Sequence, residues 1–105
     1  MSRFISIANV DHVPPGTCVT VEVQGVLVAL FNVDGTFYAM DNTCPHAGGP
    51  LGEGALVGNI VTCPWHGWRF NVCTGERPEN PDFKVSSCEV RIEGGEVQIA
   101  LPITF

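Results

Sequence analysis

The sequence has few charged residues, and very few of them are basic. Its 105 residues include five Lys and Arg against eleven Asp and Glu, so the formal net charge is −6 at pH 7. The cations are scattered along the chain, at Arg3, Arg69, Arg77, Lys84 and Arg91. No basic stripe is available to follow a phosphate backbone. We therefore expect neither nucleic acid nor an anionic membrane as a partner.

Long hydrophobic runs are also missing. The longest is Val26–Phe31, whereas a bilayer-spanning helix needs about 20 apolar residues. The start of the chain, MSRFISIANVDHV, has no continuous apolar segment followed by a small-residue cleavage site. These features predict a soluble, cytoplasmic protein.

The cysteine count excludes a complete set of disulfides within one chain, because five is an odd number. The sequence also lacks the secretory signal that would place it in an oxidising compartment. Reduced thiols or metal ligation are therefore the expected states of these cysteines.

Long helices are not expected, because twelve glycines and eight prolines interrupt the chain throughout. Short runs rich in β-forming residues predict an all-β fold in one domain, residues 1–105. Asp34-Gly35, Gly94-Gly95 and Gly25 predict tight antiparallel hairpins. Alternation in the second and seventh runs predicts inward-facing Val19, Val21 and Val23, then Val90 and Ile92. The predicted strands are Phe4–Ala8, Cys18–Val23, Val26–Val33, Thr36–Met40, Asn59–Cys63, Trp68–Val72, Cys88–Glu93 and Glu96–Leu101.

The middle of the chain differs in amino-acid composition from its two ends. Residues 43–81 hold five of the prolines, both tryptophans and two of the three histidines. This segment predicts a loop-built insert, and the supporting base strands come from about 1–42 and 82–105.

Two short motifs in the insert carry potential metal ligands: Cys44-x-His46 and Cys63-x-x-His66. Thiolate sulfur and imidazole nitrogen favour zinc, iron or copper. Two cysteines and two histidines could form a tetrahedral structural zinc site. However, residues i and i+2 in extended backbone have Cα atoms about 6.6 Å apart, which suits two adjacent metals better than one.

The motifs and their surroundings resemble the Rieske family. The shared features are C-x-H, sixteen residues and C-x-x-H, with a proline after each cysteine, Gly48 and Gly49, the stretch GPLGEG, Gly67, Phe70 and Thr74-Gly75. The resemblance covers the whole chain. It implies the Rieske fold, an antiparallel β-sandwich or barrel base with a loop-built cluster-binding subdomain. It also implies a [2Fe-2S] cluster held by Cys44 and Cys63 on one iron and His46 and His66 on the other.

The resemblance implies a soluble one-electron carrier that passes electrons from a flavin-dependent reductase to a terminal oxygenase. An alternative within the family is the small subunit of a nitrite reductase-like complex, partnered by its large subunit. From the residues alone, a zinc-stabilised interaction module stays open. The sequence shows no activated nucleophile, paired carboxylates or phosphate-binding glycine loop, so the chain itself is not expected to be an enzyme.

Two departures separate the chain from membrane-complex Rieske proteins. Those relatives carry a disulfide between the cluster loops, and the matching positions here are Gly49 and Trp65. They also carry a serine and a tyrosine that donate to cluster sulfurs, where this chain has Trp68 and Phe70. Fewer donors imply a lower reduction potential.

The remaining cysteines, Cys18, Cys73 and Cys88, are interpreted as small buried hydrophobes in strands. His12 lies in a proline-rich turn and is given no role.

The two tryptophans of the insert leave two interpretations open. Trp65 and Trp68 could shield the cluster or offer a docking surface, and they could equally form a local small core. The resemblance favours a stiff loop over the cluster at Pro78 and Pro81.

Overall fold

The computed structural model describes residues 3–105, and most of this range is antiparallel β-structure. Two short 3₁₀ helices, Val10–His12 and Leu51–Glu53, interrupt the strands. No helix in the described range is long and apolar enough to cross a membrane. The all-β prediction is confirmed. The strands are β1 Arg3–Asn9, β2 Cys18–Val23, β3 Val26–Val33, β4 Thr36–Asp41, β5 Ala55–Val57, β6 Ile60–Thr62, β7 Arg69–Asn71, β8 Glu76–Arg77, β9 Asn80–Lys84, β10 Ser87–Cys88, β11 Val90–Glu93 and β12 Glu96–Leu101.

Two antiparallel sheets form the base. One has the order β1-β12-β11 and the other β10-β4-β3-β2. Each of these sheets ends at free edge strands, so the described residues form no closed barrel. The barrel form of the prediction is therefore not the one adopted.

Three hairpins of the base turn where the sequence predicts them. At the first turn, φ is 52° for Gln24 and 82° for Gly25. At the second, φ is 52° for Asp34 and 94° for Gly35. Gly94-Gly95 has φ values of 59° and 79°. Positive φ at both central residues is the type I′ requirement, and this turn matches the right-handed twist of the flanking strands.

Strand β3 reads as a continuous apolar run because both of its faces are covered. Val28 and Leu30 face one core, which also contains Val97 and Ile99 from the other base sheet. Ala29 and Phe31 face a second core beneath the insert. The second core comprises Ala29, Phe31, Met40, Cys44, Leu51, Val61, Cys63, Phe70, Val72 and Val85.

The predicted alternation fails at two edge positions. Val19 on β2 is 36% exposed and Ile92 on β11 is 48% exposed. Both strands lie at the edge of their sheets, where a side chain has a neighbouring strand on one side only. The prediction is right for Val23, which is buried.

Between β4 and β10 the insert contains five short strands and a 3₁₀ helix as well as loops. A three-stranded sheet, β5-β6-β7, is followed by the hairpin β8-β9. The sequence did not indicate β5, β8 or β9. β8 has only two residues, and β9 contains Pro81 and three polar residues, so neither shows an apolar alternation. The division into one domain of 1–105 with an insert at 43–81 stays a prediction.

Asn42 joins the insert to the base and is only 3% exposed. Its Oδ1 accepts hydrogen bonds from Thr20 Oγ1 at 2.9 Å and from the Gly52 amide at 2.8 Å. Its backbone carbonyl accepts from the Leu51 amide at 2.7 Å. One amide side chain therefore links β2 to the 3₁₀ helix that precedes the β5-β6-β7 sheet.

Replacing Asn42 with alanine should lower the free energy of unfolding by about 1–3 kcal/mol, because it leaves the buried Gly52 amide without an acceptor. The measurement is urea unfolding followed by circular dichroism. Thr20→Val is the matched control, since it removes one donor and leaves the Gly52 bond intact. Equal losses in both variants would contradict this assignment.

Candidate metal centre

The first ligand motif lies in a loop that closes on its own cysteine. The Cys44 amide donates to the Gly49 carbonyl at 2.9 Å, and the Gly48 amide donates to the Cys44 carbonyl at 2.8 Å. Gly48 has φ +78°, a left-handed conformation that costs glycine little. The loop therefore turns Cys44 inward while His46 stays exposed.

A similar loop carries the second motif. The Cys63 amide donates to the Trp68 carbonyl at 2.7 Å, which closes the loop. His66 has φ +69° and Gly67 has φ +75°. A positive φ is uncommon for a histidine and is held only where the surrounding structure fixes it. This backbone places His66 on the surface.

The two loops meet at the cysteines, both of which are 1% exposed. Burial raises the pKa of the Cys63 thiol, the Trp65 amide hydrogen bond to its sulfur lowers it, and the neighbouring Cys44 thiol raises it. An added Cβ at Gly49 would lie 2.6 Å from Cys63 Sγ and 2.9 Å from Trp65 Cγ. The first loop can approach the second this closely only because residue 49 is glycine.

The histidines face each other on the outer side of the loops. Their imidazole centroids are 5.4 Å apart, with planes at 84°. The His46 ring also stacks on the Trp68 indole, at 4.3 Å between centroids and 8° between planes. Both imidazoles belong to exposed residues, so this pair forms the outer surface of the site.

Trp68 is itself covered by the β8-β9 hairpin. The Arg77 guanidinium carbon lies 3.7 Å from the Trp68 ring centroid, and Phe83 contacts the ring edge-on at 5.0 Å. The hairpin contains Pro78 and Pro81, where a cover was expected, and its described contacts with the site run through Trp68. Trp65 stands apart from this stack and is 51% exposed.

The four predicted ligands are thus brought together by the fold, as a buried sulfur pair beneath an exposed imidazole pair. A Rieske centre requires this donor set, with two protein donors for each iron. Across residues 3–105, no group of three or more His, Cys, Asp or Glu side chains is placed to hold a metal ion by itself. The donors and the glycine-lined approach at Gly49 fit a [2Fe-2S] cluster.

Comparison with known families decides the class. The profile of the Rieske [2Fe-2S] domain matches residues 3–92. The chain belongs to the Rieske family. Its cofactor is accordingly a Rieske [2Fe-2S] cluster.

Relatives of this Rieske protein are ferredoxins of dioxygenase systems. The ferredoxin component of the naphthalene 1,2-dioxygenase/salicylate 5-hydroxylase systems of Ralstonia sp. is 37% identical over 100 residues, which cover 94% of this chain and 96% of the relative. The ferredoxin in a complex of reduced oxygenase and oxidised ferredoxin of carbazole 1,9a-dioxygenase is 35% identical. It superposes with a TM-score of 0.84 over 92% of both chains.

A second branch of the family has the same fold with a more distant sequence. A protein assigned as an NADH-dependent nitrite reductase small subunit from Mycobacterium tuberculosis superposes with a TM-score of 0.86 over 99% of both chains, at 26% identity.

The residues outside the ligand set fall in several environments. Cys18 is partly buried, and its Sγ lies 3.4 Å from the Gly54 carbonyl oxygen. Cys88 is also partly buried, whereas Cys73 is exposed. The prediction of a buried strand residue is wrong for Cys73, because it lies in a turn after β7 that Asn71 stabilises through its side chain. His12 is exposed, at the end of a 3₁₀ helix.

Cys73 and Cys88, which lie outside the ligand set, should differ in thiol reactivity. Burial and the nearby Asp41 carboxylate raise the pKa of Cys88 to about 11, so its reactive thiolate is scarce at pH 8. We expect iodoacetamide to modify Cys73 at least about ten-fold faster than Cys88.

Trypsin cleavage after Lys84 separates these two cysteines into different peptides for mass spectrometry. Unfolding in denaturant is the control and should make the two rates similar. Equal rates in the folded protein would contradict the burial of Cys88.

Sequence reasoning missed Asn42, Arg77 and Phe83. The hydrogen bonds of Asn42 join segments distant in the chain, and no local pattern marks them. The contacts of Arg77 and Phe83 with Trp68 depend on the β8-β9 hairpin, which was not predicted.

Proposed function

We propose that this chain is a one-electron carrier whose [2Fe-2S] cluster is held by Cys44 and Cys63 on one iron and by His46 and His66 on the other. One observation carries the proposal: the two cysteines are buried and in contact, while the two imidazoles belong to exposed residues on the outer side of the same loops. The cluster, when bound, supplies reversible one-electron storage.

The residues around the site leave one of its sides buried and the other open to a partner protein. The sulfur side faces the core of Phe31, Met40 and Phe70, which excludes water. The imidazole side offers the short route to a partner surface. Electrons therefore enter and leave past His46 and His66.

The proposed partners follow from the relatives. We propose that a flavin-dependent reductase reduces this protein and that a terminal oxygenase oxidises it, in the cytoplasm. The support is the 37% identity to a dioxygenase-system ferredoxin and the carbazole dioxygenase complex between a ferredoxin and its oxygenase. A nitrite reductase small subunit is the second candidate, supported by the TM-score of 0.86 at 26% identity.

Metal analysis tests the ligand proposal. Anaerobically purified protein should contain iron and acid-labile sulfide in equal amounts, and dithionite reduction should produce a Rieske-type EPR signal. Zinc without sulfide would contradict it and would restore the zinc-module interpretation.

Partner assays test the direction of electron flow. Stopped-flow spectroscopy should show that the reduced protein is oxidised rapidly by the terminal oxygenase of a naphthalene dioxygenase system in the presence of substrate. The large subunit of a nitrite reductase is the comparison partner. Faster oxidation by that subunit would favour the second candidate.

A further inference from the structure

Trp68 is stacked between a proposed ligand and a cation. His46 lies parallel to the indole at 4.3 Å, and the Arg77 guanidinium lies 3.7 Å from the ring centroid. Two planar groups at these distances would collide if they shared one face of the indole, so they occupy opposite faces. The two separations place the guanidinium carbon within about 8 Å of the His46 ring centroid.

The charge of Arg77 is incompletely compensated. Its Nε is buried, has no hydrogen-bond partner, and lies 3.9 Å from Glu79 Oε2. Glu79 is engaged mainly by Arg69, whose Nε donates to Oε1 at 2.7 Å. The Arg69 hydrogen bond, the Glu79 backbone amide and the charges of Arg69 and Arg77 hold the pKa of Glu79 below its usual range, despite an opposing effect of burial.

We propose that Arg77 is a positioning residue that acts on His46 through Trp68, fixing the imidazole plane and raising the reduction potential of the cluster. The inference rests on the proposed function, because it takes His46 as a ligand. A cation near a redox centre stabilises the state that has gained an electron, and its effect is larger where water is partly excluded. The negative charge of Glu79 partly cancels the positive charge of Arg77, so it limits how far Arg77 raises the reduction potential.

The chain contains a close match for this arrangement in the base. Arg91 lies 4.2 Å from the Phe4 ring centroid, and its Nε is 3.9 Å from Glu93 Oε2. Arg91 is on β11, in the base sheet β1-β12-β11, so removing it changes the net charge equally without touching the stack. Arg91→Met is therefore the control for Arg77→Met.

The experiment is a spectroelectrochemical titration of the cluster-loaded protein and its variants at one pH and one ionic strength. Arg77→Met should shift the potential to more negative values, and Arg77→Lys should shift it less because the charge is retained. Glu79→Gln should shift it to more positive values. Arg91→Met should leave it near the wild-type value.

Three results would overturn the inference: an unchanged potential in Arg77→Met, equal shifts in Arg77→Met and Arg91→Met, or equal shifts in Arg77→Met and Arg77→Lys. If Arg77→Met does not load a cluster, Glu79→Gln decides, and a potential that does not rise would refute the proposal. Failure of the proposed function would be recognised separately, because the wild-type protein would then show no Rieske EPR signal.

Discussion

Replacing Cys44 or Cys63 with serine is expected to abolish cluster binding. Each sulfur is buried at the meeting point of the two loops, and among the described residues no other fully buried cysteine belongs to the core that contains them. A serine oxygen is a harder donor than thiolate and suits an iron–sulfur cluster poorly. Iron and sulfide content and the EPR signal of the reduced protein should fall to background in both variants.

Cys18→Ser is the matched control for these changes. Cys18 is a partly buried cysteine on β2, packed against the same core, and its thiol hydrogen bond to the Gly54 carbonyl can be reproduced by a hydroxyl. This variant should keep a full complement of iron and sulfide. A cluster that survives both ligand substitutions, or one lost in Cys18→Ser alone, would refute the assignment.

The second large effect is expected at Gly49. An alanine Cβ there would lie 2.6 Å from Cys63 Sγ, which is well inside van der Waals contact. The proposed bond from Cys63 to iron would hold its sulfur in place, so the first loop must shift instead. We expect Gly49→Ala to lose most of its cluster, and overpacking of this kind typically costs about 1–3 kcal/mol of stability. Iron content and thermal unfolding measure the two effects.

Gly48→Ala separates crowding from backbone strain. Residue 48 has φ +78°, but an added Cβ there meets no atom within 4 Å. The alanine is strained by about 1–2 kcal/mol, since left-handed backbone is unfavourable for residues with a Cβ. The variant should be less stable yet still contain the cluster. Similar cluster loss in both variants would mean that backbone strain, and not contact with Cys63, explains the effect of Gly49→Ala.

The base of the fold could be predicted in detail because its signals are local. The hairpins at Asp34-Gly35 and Gly94-Gly95 require positive φ at adjacent residues, and this requirement is visible in the sequence. Strands β2, β3 and β12 have the predicted bounds. The exposure of Val19 and Ile92 could not be predicted, because an alternating pattern does not show which strands lie at the edge of a sheet.

The candidate site was predictable for a different reason. The spacing of Cys44, His46, Cys63 and His66 constrains ligand chemistry, and the structure brings those four residues together. The stack on Trp68 was not predictable, because it joins His46 to Arg77 across a hairpin too short to leave a pattern. Trp68 packs between His46, Arg77 and Phe83, as expected of a local small core. Shielding of the cluster by Trp68 stays a prediction.

Strand β3 divides the interior into two halves that differ in what they need to form. The half behind Val28 and Leu30 includes none of the proposed ligands among its described residues. We expect this core to pack without iron or sulfide. The half in front includes the proposed ligands Cys44 and Cys63 among its buried side chains, so we expect its final packing to require iron and sulfide. We therefore expect the base to fold without iron and the insert to reach its final packing only when the cluster binds. An iron-free chain should keep slow amide hydrogen exchange in β12 and lose it in β6.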